Sequence, residues 1–391
     1  MNPSPPAPDP GGTDGRSLAP DLARGVMLLV IALAHAPAFV GDWTRGPAPL
    51  NATAEFIKYL VTDNQARAMF VFLFGYGLGQ LARRQLDRGG DWTSLRALLR
   101  RRGFWLLAIG FAHAALLVPL DIIAVYGLTL LMLAPLVRSR DSALLWTAAL
   151  VSVPATLLIA WQGVTAWTTT GGGAATLVPY MTESPVHHVL FNLRGWPVET
   201  LVSVLVVVPG LLWGVWAARR RILDEPERHT VLLRRSCVLL LGAALMGRLP
   251  LALLLTGVWE SDSAALVWVF TTAHTLAGYA GGIGMAACVG LVAIRIGRDR
   301  GRVTTGLAAL GQRSMTFYLF QSVVFVALFY PFTLDLSGEL GIAGSYGVAT
   351  AVWAASVLLA AWMHVRGVRG PAETLLRRLS DRPADRAPSP R

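Results

Sequence analysis

Residues 197–218 read PVETLVSVLVVVPGLLWGVWAA and are almost entirely apolar. At about 1.5 Å per residue, a helix of this length covers roughly 30 Å, the thickness of the hydrocarbon core of a bilayer. Three arginines, Arg219 to Arg221, follow directly. Basic residues at the end of an apolar run are typical of the cytoplasmic side of a membrane. The stretch therefore predicts a transmembrane helix that runs toward the cytoplasm.

The composition of the whole chain agrees with this interpretation. Of the 391 residues, 54% are hydrophobic and only 15% are charged, and the mean hydropathy is +0.53. Soluble domains contain nearer a quarter of charged residues, so the composition excludes a soluble multidomain protein and a disordered one. The sequence predicts an all-α, polytopic membrane protein.

Other apolar runs along the chain are also long enough to cross a bilayer. The third and fourth are short and adjacent, which predicts a tight helical hairpin, and the eighth and ninth are long enough to be tilted or broken. We predict about ten spans, at approximately 21–40, 64–82, 103–119, 121–137, 142–161, 197–218, 236–256, 264–294, 305–330 and 341–363.

The net charge of +11 raises the question of a nucleic-acid partner. The arginines, however, lie in short clusters between apolar runs. With the N-terminus placed in the cytoplasm, the cytoplasmic loops and tail receive 26 arginines, whereas the outer loops receive only Arg45, Lys58 and Arg194. This imbalance predicts that both termini are cytoplasmic and that the charge faces anionic membrane lipids, not nucleic acid.

Composition also divides the chain into segments. Residues 1–15 are rich in Pro, Gly and Asp and predict a disordered leader, and residues 381–391 predict a disordered tail. Between them we distinguish an N-terminal transmembrane half, 16–218, and a C-terminal half, 219–380.

The two cysteines lie inside apolar runs and predict no disulfide, and no group of residues has metal-ligand spacing.

Ionisable side chains in the predicted spans are costly and are therefore candidates for function. Asp21 and Arg24 can share one face of the first helix at its cytoplasmic end, where a cation can meet phosphates. His35 lies eleven residues after Arg24, which is about 16 Å along a helix and close to the same face. This spacing suggests an anion anchor and a general base on one stripe. The alternative is a capped helix start and a structural histidine.

Further candidates lie in later spans. His113 and Asp121 flank the predicted hairpin turn, where a carboxylate can orient a histidine for acid–base chemistry, although Asp121 can also be a helix cap. Tyr126 follows on the same helix. Additional polar candidates for substrate binding or interhelical hydrogen bonds are Arg248, His274 and Gln321.

Five stretches together carry a resemblance to a known family. They are DLARG at 21–25, FVFLFG at 70–75, His113 with DI at 121–122 and YG at 126–127, GQRSMTFYLFQS at 311–322, and RGPAE at 369–373. They resemble the DUF418, or YeiB-like, family of bacterial inner-membrane proteins. The resemblance covers nearly the whole chain, with the DUF418 region beginning near Arg220.

This family is in turn similar to the transmembrane acyltransferases, which include the acyltransferase-3 proteins and the heparan-glucosaminide N-acetyltransferases. The resemblance implies a multi-pass protein of the bacterial plasma membrane that passes an acyl group from cytoplasmic acyl-CoA to an acceptor on the far side. It implies His35 as general base or acyl carrier, and Arg16 and Arg24 as ligands of the acyl-CoA phosphates.

We therefore predict an acyltransferase with His35, His113 and Asp121 as catalytic residues and with acyl-CoA as co-substrate, not as a tightly bound cofactor. The acceptor is expected to be a small molecule, a glycan or a lipid. Two alternatives stay open, which are a transporter or flippase of a small anionic or lipid-like substrate, and a non-catalytic scaffold. The sequence leaves the oligomeric state open. The substrate-binding residues that we predict are Arg16, Asp21, Arg24, Tyr126, Arg248, His274 and Gln321.

Overall fold

The computed structural model describes residues 17–171, 175–297 and 300–381. The predicted leader, Arg16 and residues 382–391 of the predicted tail lie outside these ranges. Within them the regular elements are helical. The α-helices are α1 (Leu18–His35), α2 (Ala48–Ile57), α3 (Gln65–Asp87), α4 (Trp92–Leu116), α5 (Ile123–Leu133), α6 (Asp141–Thr170), α7 (Pro185–Arg219), α8 (Thr230–Leu255), α9 (Ala264–Ile296), α10 (Arg302–Gly311), α11 (Ser314–Phe329), α12 (Ile342–Val365) and α13 (Pro371–Ser380).

Each predicted span falls on one or two of these helices. In the described residues, six helical segments are long and apolar enough to cross a membrane, namely α1 with the 3₁₀ turn after it, α6, α7, α8 with the 3₁₀ turn before it, α9 and α12. Helices α5 and α11 are apolar but shorter. Helix α3 carries arginines near both ends, and α4 carries them in its first half. The all-helical prediction is thus confirmed for the described residues, and six helical segments have the length and composition of membrane spans. The count of ten spans and the cytoplasmic termini stay predictions.

Two sets of contacts identify the two ends of the bundle. At the end where α1 begins, Ser17 Oγ donates to the Leu223 carbonyl and Arg83 pairs with Asp224. At the end where α1 stops, the Leu177 amide donates to the Ala38 carbonyl and the Gly41 amide to the Ser337 carbonyl. We call these the Arg24 end and the His35 end, because each of those residues lies near one of them.

The ninth predicted span is broken between α10 and α11. Arg313, in the break, is buried and donates to the carbonyls of Val368 and Ala309. Gly311 closes α10 against α1, where an added Cβ would lie 1.8 Å from the Asp21 carbonyl oxygen. Only glycine permits this close approach of the two backbones.

The short helix α13 covers the start of α11 at the Arg24 end. Glu373 Oε1 accepts from the amides of Met315 and Thr316, and its Oε2 accepts from the Thr316 hydroxyl. A carboxylate is favourable here, because the first amides of a helix have no partner within the helix. The cap ties α13 to the helix that carries Tyr318 and Gln321.

Candidate functional site

Two of the cavities in the described part of the chain concern the predicted site, one toward each end of the bundle. The inner cavity, of about 270 Å³, is bounded by Arg24, Arg102, Tyr126 and Glu373 toward the Arg24 end. The outer cavity, of about 310 Å³, is bounded by His35 and residues of the segment 62–67 toward the His35 end. Of the residues predicted for the site, Arg24 and Tyr126 line the inner cavity, and His35 and Asp121 line the outer one.

The inner cavity is apolar except for a few groups near its mouth. Arg24 lines it and forms an ion pair with Asp21, whose Oδ1 lies 3.2 Å from Arg24 Nη1. Arg102 of α4 also lines it, and no described carboxylate lies within 4.0 Å of its guanidinium. The predicted pairing on one face of α1 is confirmed, whereas Arg102 was counted among the cytoplasmic arginines without a site of its own.

Tyr126 forms part of the inner cavity wall. Its ring stacks on that of Phe74, with centroids 3.8 Å apart and an interplanar angle of 7°. Its hydroxyl is buried and makes no hydrogen bond within the described part of the chain. A buried hydroxyl without a partner is costly, so this one is available to a bound molecule.

His35 lines the outer cavity. Its ring approaches the edge of Tyr318, with centroids 6.4 Å apart. Neither ring nitrogen has a hydrogen-bond partner among the described residues. The histidines at 113, 188 and 274 are also buried, and each makes a hydrogen bond to protein. His35 is therefore the interior histidine in the described ranges that is free to exchange a proton with a ligand.

The outer cavity also holds charged residues that the sequence analysis did not select. Asp63, Asn64 and Arg67 line it from the start of α3, and Glu199 lines it from α7. Asp63 pairs with Lys58 at 2.5 Å, and Arg67 Nη2 donates to Asn64 Oδ1 at 2.6 Å. Arg67 lies at the start of the predicted span 64–82, and a charged residue within a span was the sequence signal that could have identified it.

Two aromatic residues border both cavities. Phe70 of α3 and Tyr318 of α11 line the inner and the outer cavity alike. The Tyr318 hydroxyl donates to the Leu120 carbonyl at 2.8 Å, which anchors the ring to the turn between α4 and α5. Together they form the partition between the two cavities.

The predicted approach of His113 and Asp121 is confirmed. His113 Nδ1 donates to Asp121 Oδ1 at 2.8 Å, and His113 Nε2 lies 2.8 Å from the Ser322 hydroxyl. Asp121 Oδ2 also accepts from the Ala124 amide at 2.7 Å, so the carboxylate caps α5 as well. Both nitrogens of His113 are thus occupied, and the residue borders neither cavity, although Asp121 borders the outer one.

Arg248 and His274 hold the backbone that leads into the outer cavity. Residues 58–62 form a π-helix, and Arg248 donates to the carbonyls of Tyr59 and Leu60 at 2.8 and 2.7 Å. His274 Nε2 donates to the Tyr59 carbonyl at 2.8 Å. Neither residue borders the outer cavity. Their assignment to substrate binding stays a prediction, and the observed contacts position the segment that carries Asp63 and Asn64.

Gln321 connects α11 to α1. Its side-chain amide donates to the Leu28 carbonyl at 3.2 Å, and it is buried and borders neither cavity. Its assignment to substrate binding also stays a prediction. No group of His, Cys, Asp and Glu in the described residues has the arrangement of a metal site.

Comparison with known proteins supports the resemblance. Residues 217–383 match the model of a family described as a protein of unknown function, DUF418. The chain is also 25% identical over 364 residues to the uncharacterized protein YxaH of Bacillus subtilis, an alignment that covers 87% of this chain and 84% of that protein. The C-terminal region of the chain thus matches the DUF418 family, which is the family that the sequence motifs predicted.

Proposed function

We propose that this protein is a plasma-membrane acyltransferase that uses cytoplasmic acyl-CoA and acylates an acceptor on the outer side. In this proposal ten helices cross the membrane and both termini are cytoplasmic, which places the Arg24 end inside. The concentration of arginines in the loops of that end supports the orientation. The observation that carries the proposal is His35, which lines the outer cavity without a protein partner for either nitrogen.

The inner cavity suits the reactive end of an acyl-CoA. Its volume of about 270 Å³ is close to the lower limit of about 300 Å³ for pockets that hold drug-sized ligands. The acyl group and the adjacent part of the pantetheine arm then occupy the cavity, while the nucleotide lies at its mouth. Arg24 and Arg102 hold phosphate groups there, since guanidinium groups bind phosphate through charge-assisted hydrogen bonds.

The proposed reaction is acyl transfer with His35 as general base. His35 accepts the proton of the acceptor hydroxyl or amine as that group attacks the thioester carbonyl. The new C–O or C–N bond forms, the C–S bond breaks, and the coenzyme A thiolate leaves with the proton that His35 returns. The unpartnered hydroxyl of Tyr126 donates to the thioester oxygen as negative charge develops.

In this scheme, the partition formed by Phe70 and Tyr318 must open for the acceptor and the thioester to meet. Before it opens, the thioester and the outer water are separated, which suppresses hydrolysis. His113 and Asp121 act through Tyr318, because the His113 ring lies against the Tyr318 ring with centroids 5.3 Å apart. They are thus positioning residues in this scheme.

The test is acyl-CoA binding by the purified protein in detergent, from acetyl-CoA to long-chain acyl-CoA. We expect micromolar binding by the wild type, loss of binding by Arg24→Ala and Arg102→Gln, and unchanged binding by His35→Ala with loss of coenzyme A release. Arg96→Gln is the matched control, because Arg96 is an exposed arginine on the same helix as Arg102 and borders no cavity described here. Absence of binding by the wild type across all chain lengths would remove the main support for an acyltransferase.

A transporter or flippase is the second candidate, and the partition is the observation that favours it. Two cavities at opposite ends, closed from each other by movable side chains, also fit alternating access to a central site. Flux of a small anionic or lipid-like substrate across proteoliposomes, without any consumption of acyl-CoA, would select this function.

A further inference from the structure

The guanidinium of Arg67 faces the outer cavity together with His35. The side chain is half-buried, and its one protein hydrogen bond in the described residues goes to Asn64 Oδ1 at 2.6 Å. An amide oxygen satisfies one of the five N–H donors of an arginine and does not neutralise its charge. The remaining donors are available to a ligand in the cavity.

None of the carboxylates that line the outer cavity forms an ion pair with Arg67. Asp63 is paired with Lys58, and Asp121 accepts from His113 and from two backbone amides. Glu199 lines the cavity from α7, but no described carboxylate, including that of Glu199, lies within 4.0 Å of the Arg67 guanidinium. A cation at this depth without a carboxylate is costly, and an anionic ligand would offset the cost.

The position of Arg67 is determined by surrounding structure. Asn64, which accepts from Arg67, is the N-cap residue directly before α3 and lies in the left-handed backbone region with φ 57°. The Asn64 side-chain amide lies 3.4 Å from His274 Nδ1, and the π-helix before it is fixed by Arg248. Strained residues and π-helical turns persist where the surrounding structure fixes them, and they cluster at functional sites.

The rest of the cavity wall indicates the character of the ligand. Ile31, Ile122, Val206 and Val207 supply apolar surface close to the polar groups. A molecule with an anionic group and an apolar portion fits both parts. A guanidinium binds phosphate or carboxylate through two parallel hydrogen bonds.

We propose that Arg67 binds the anionic group, a phosphate or a carboxylate, of the acceptor that His35 deprotonates. The inference rests on the proposed acyltransferase function and names the acceptor class of that site. The same anionic group can belong to a lipid headgroup or to a soluble molecule. The neighbouring apolar wall favours the lipid, because acyl chains add apolar contact that a free phosphate lacks.

The experiment measures binding to the purified protein in detergent, without acyl-CoA, of two probes: inorganic phosphate and dihexanoyl phosphatidylglycerol. We expect the lipid to bind more tightly than phosphate. Arg67→Gln should weaken the binding of both at least tenfold, Arg67→Lys should retain part of it, and Glu199→Gln should strengthen it. Arg194→Gln, on an exposed arginine at the His35 end, is the control and should bind as the wild type does. Arg102→Gln is measured beside it, because the inner cavity is the competing site for a phosphate.

Each outcome distinguishes this inference from the proposed function. Equal probe binding by the wild type and by Arg67→Gln would overturn the inference, provided that thermal denaturation shows both proteins to be folded. This holds even if acyl-CoA still binds in the inner cavity. Loss of probe binding in Arg102→Gln, with none in Arg67→Gln, would place the anion site at the inner cavity and would also overturn it. Loss in Arg67→Gln together with no acyl-CoA binding by the wild type would retain the anion site and remove the acyltransferase.

Discussion

Phe70 and Tyr318, on two helices from opposite halves of the chain, meet with ring centroids 5.8 Å apart and border both cavities. Tyr318 is held by its hydrogen bond to the Leu120 carbonyl. Phe70 has no such polar anchor, since its side chain is a hydrocarbon. Phe70 is therefore the part of the partition that can move at the lower cost.

The first prediction concerns Phe70→Ala. Truncation of the ring should connect the two cavities and admit outer water to the thioester, so acyl-CoA hydrolysis without acceptor should rise several-fold. The hydrolysis rate is measured as the release of coenzyme A, which a thiol reagent detects. Phe104→Ala is the control, because Phe104 is 55% exposed on the surface of α4. An equal rise in both variants, or no rise in Phe70→Ala, would contradict the role of the partition.

The second prediction concerns the hydroxyl of Tyr126. Its removal in Tyr126→Phe should leave stability unchanged or raise it slightly, because the hydroxyl is buried without a partner. If it donates to the thioester oxygen, acyl transfer should fall by about 10²-fold. Thermal unfolding and single-turnover transfer are measured on the same preparation. A loss of stability with unchanged transfer would assign the hydroxyl a structural role.

The third prediction concerns the crossing of α1 and α10. In Gly311→Ala the added Cβ would lie 1.8 Å from the Asp21 carbonyl oxygen, so the helices must separate. We expect a loss of about 1–3 kcal/mol in the free energy of unfolding, as for overpacked sites. Gly242→Ala is the control in α8, where a Cβ would meet nothing within 4 Å. Unfolding in a detergent series compares the two, and equal stability would contradict the described packing.

The fourth prediction concerns Arg248. In Arg248→Met the Leu60 carbonyl loses its side-chain donor, whereas the Tyr59 carbonyl still accepts from His274. The loss should therefore be about 1–3 kcal/mol. The loss should also loosen the segment 58–64, so hydrogen exchange there should accelerate before global unfolding. Arg194→Met, on an exposed arginine, should change neither quantity. Unchanged exchange in Arg248→Met would show that the π-helix does not depend on it.

The sequence was sufficient for properties that depend on local pattern. Long apolar runs give the helices, and spacings of three or eight residues place Asp21 beside Arg24 and His113 beside Asp121. It was not sufficient for sites assembled from distant segments. Whether an arginine in a helical span lines a cavity or donates to a carbonyl depends on the neighbouring helices. The sequence alone therefore could not distinguish Arg67 from Arg248.

The break between α10 and α11 was anticipated only as one of two options for a long run. Its location at Arg313 follows from the tertiary hydrogen bonds to Val368 and Ala309. The sequence also could not predict that polar residues line two separate cavities, because Phe70 and Tyr318 look like ordinary core residues in an apolar run.

The packing of α1 has a consequence for the order of biosynthesis. The Trp353 indole donates to the Gly25 carbonyl across 328 residues of sequence, and Gly311 closes on Asp21 of the same helix. The contacts of α1 with α10 and α12 thus form only after these later helices have been made, whereas its contacts with α3 can form earlier. The ion pair between Asp21 and Arg24 is local to α1, so it can form before the later helices are present.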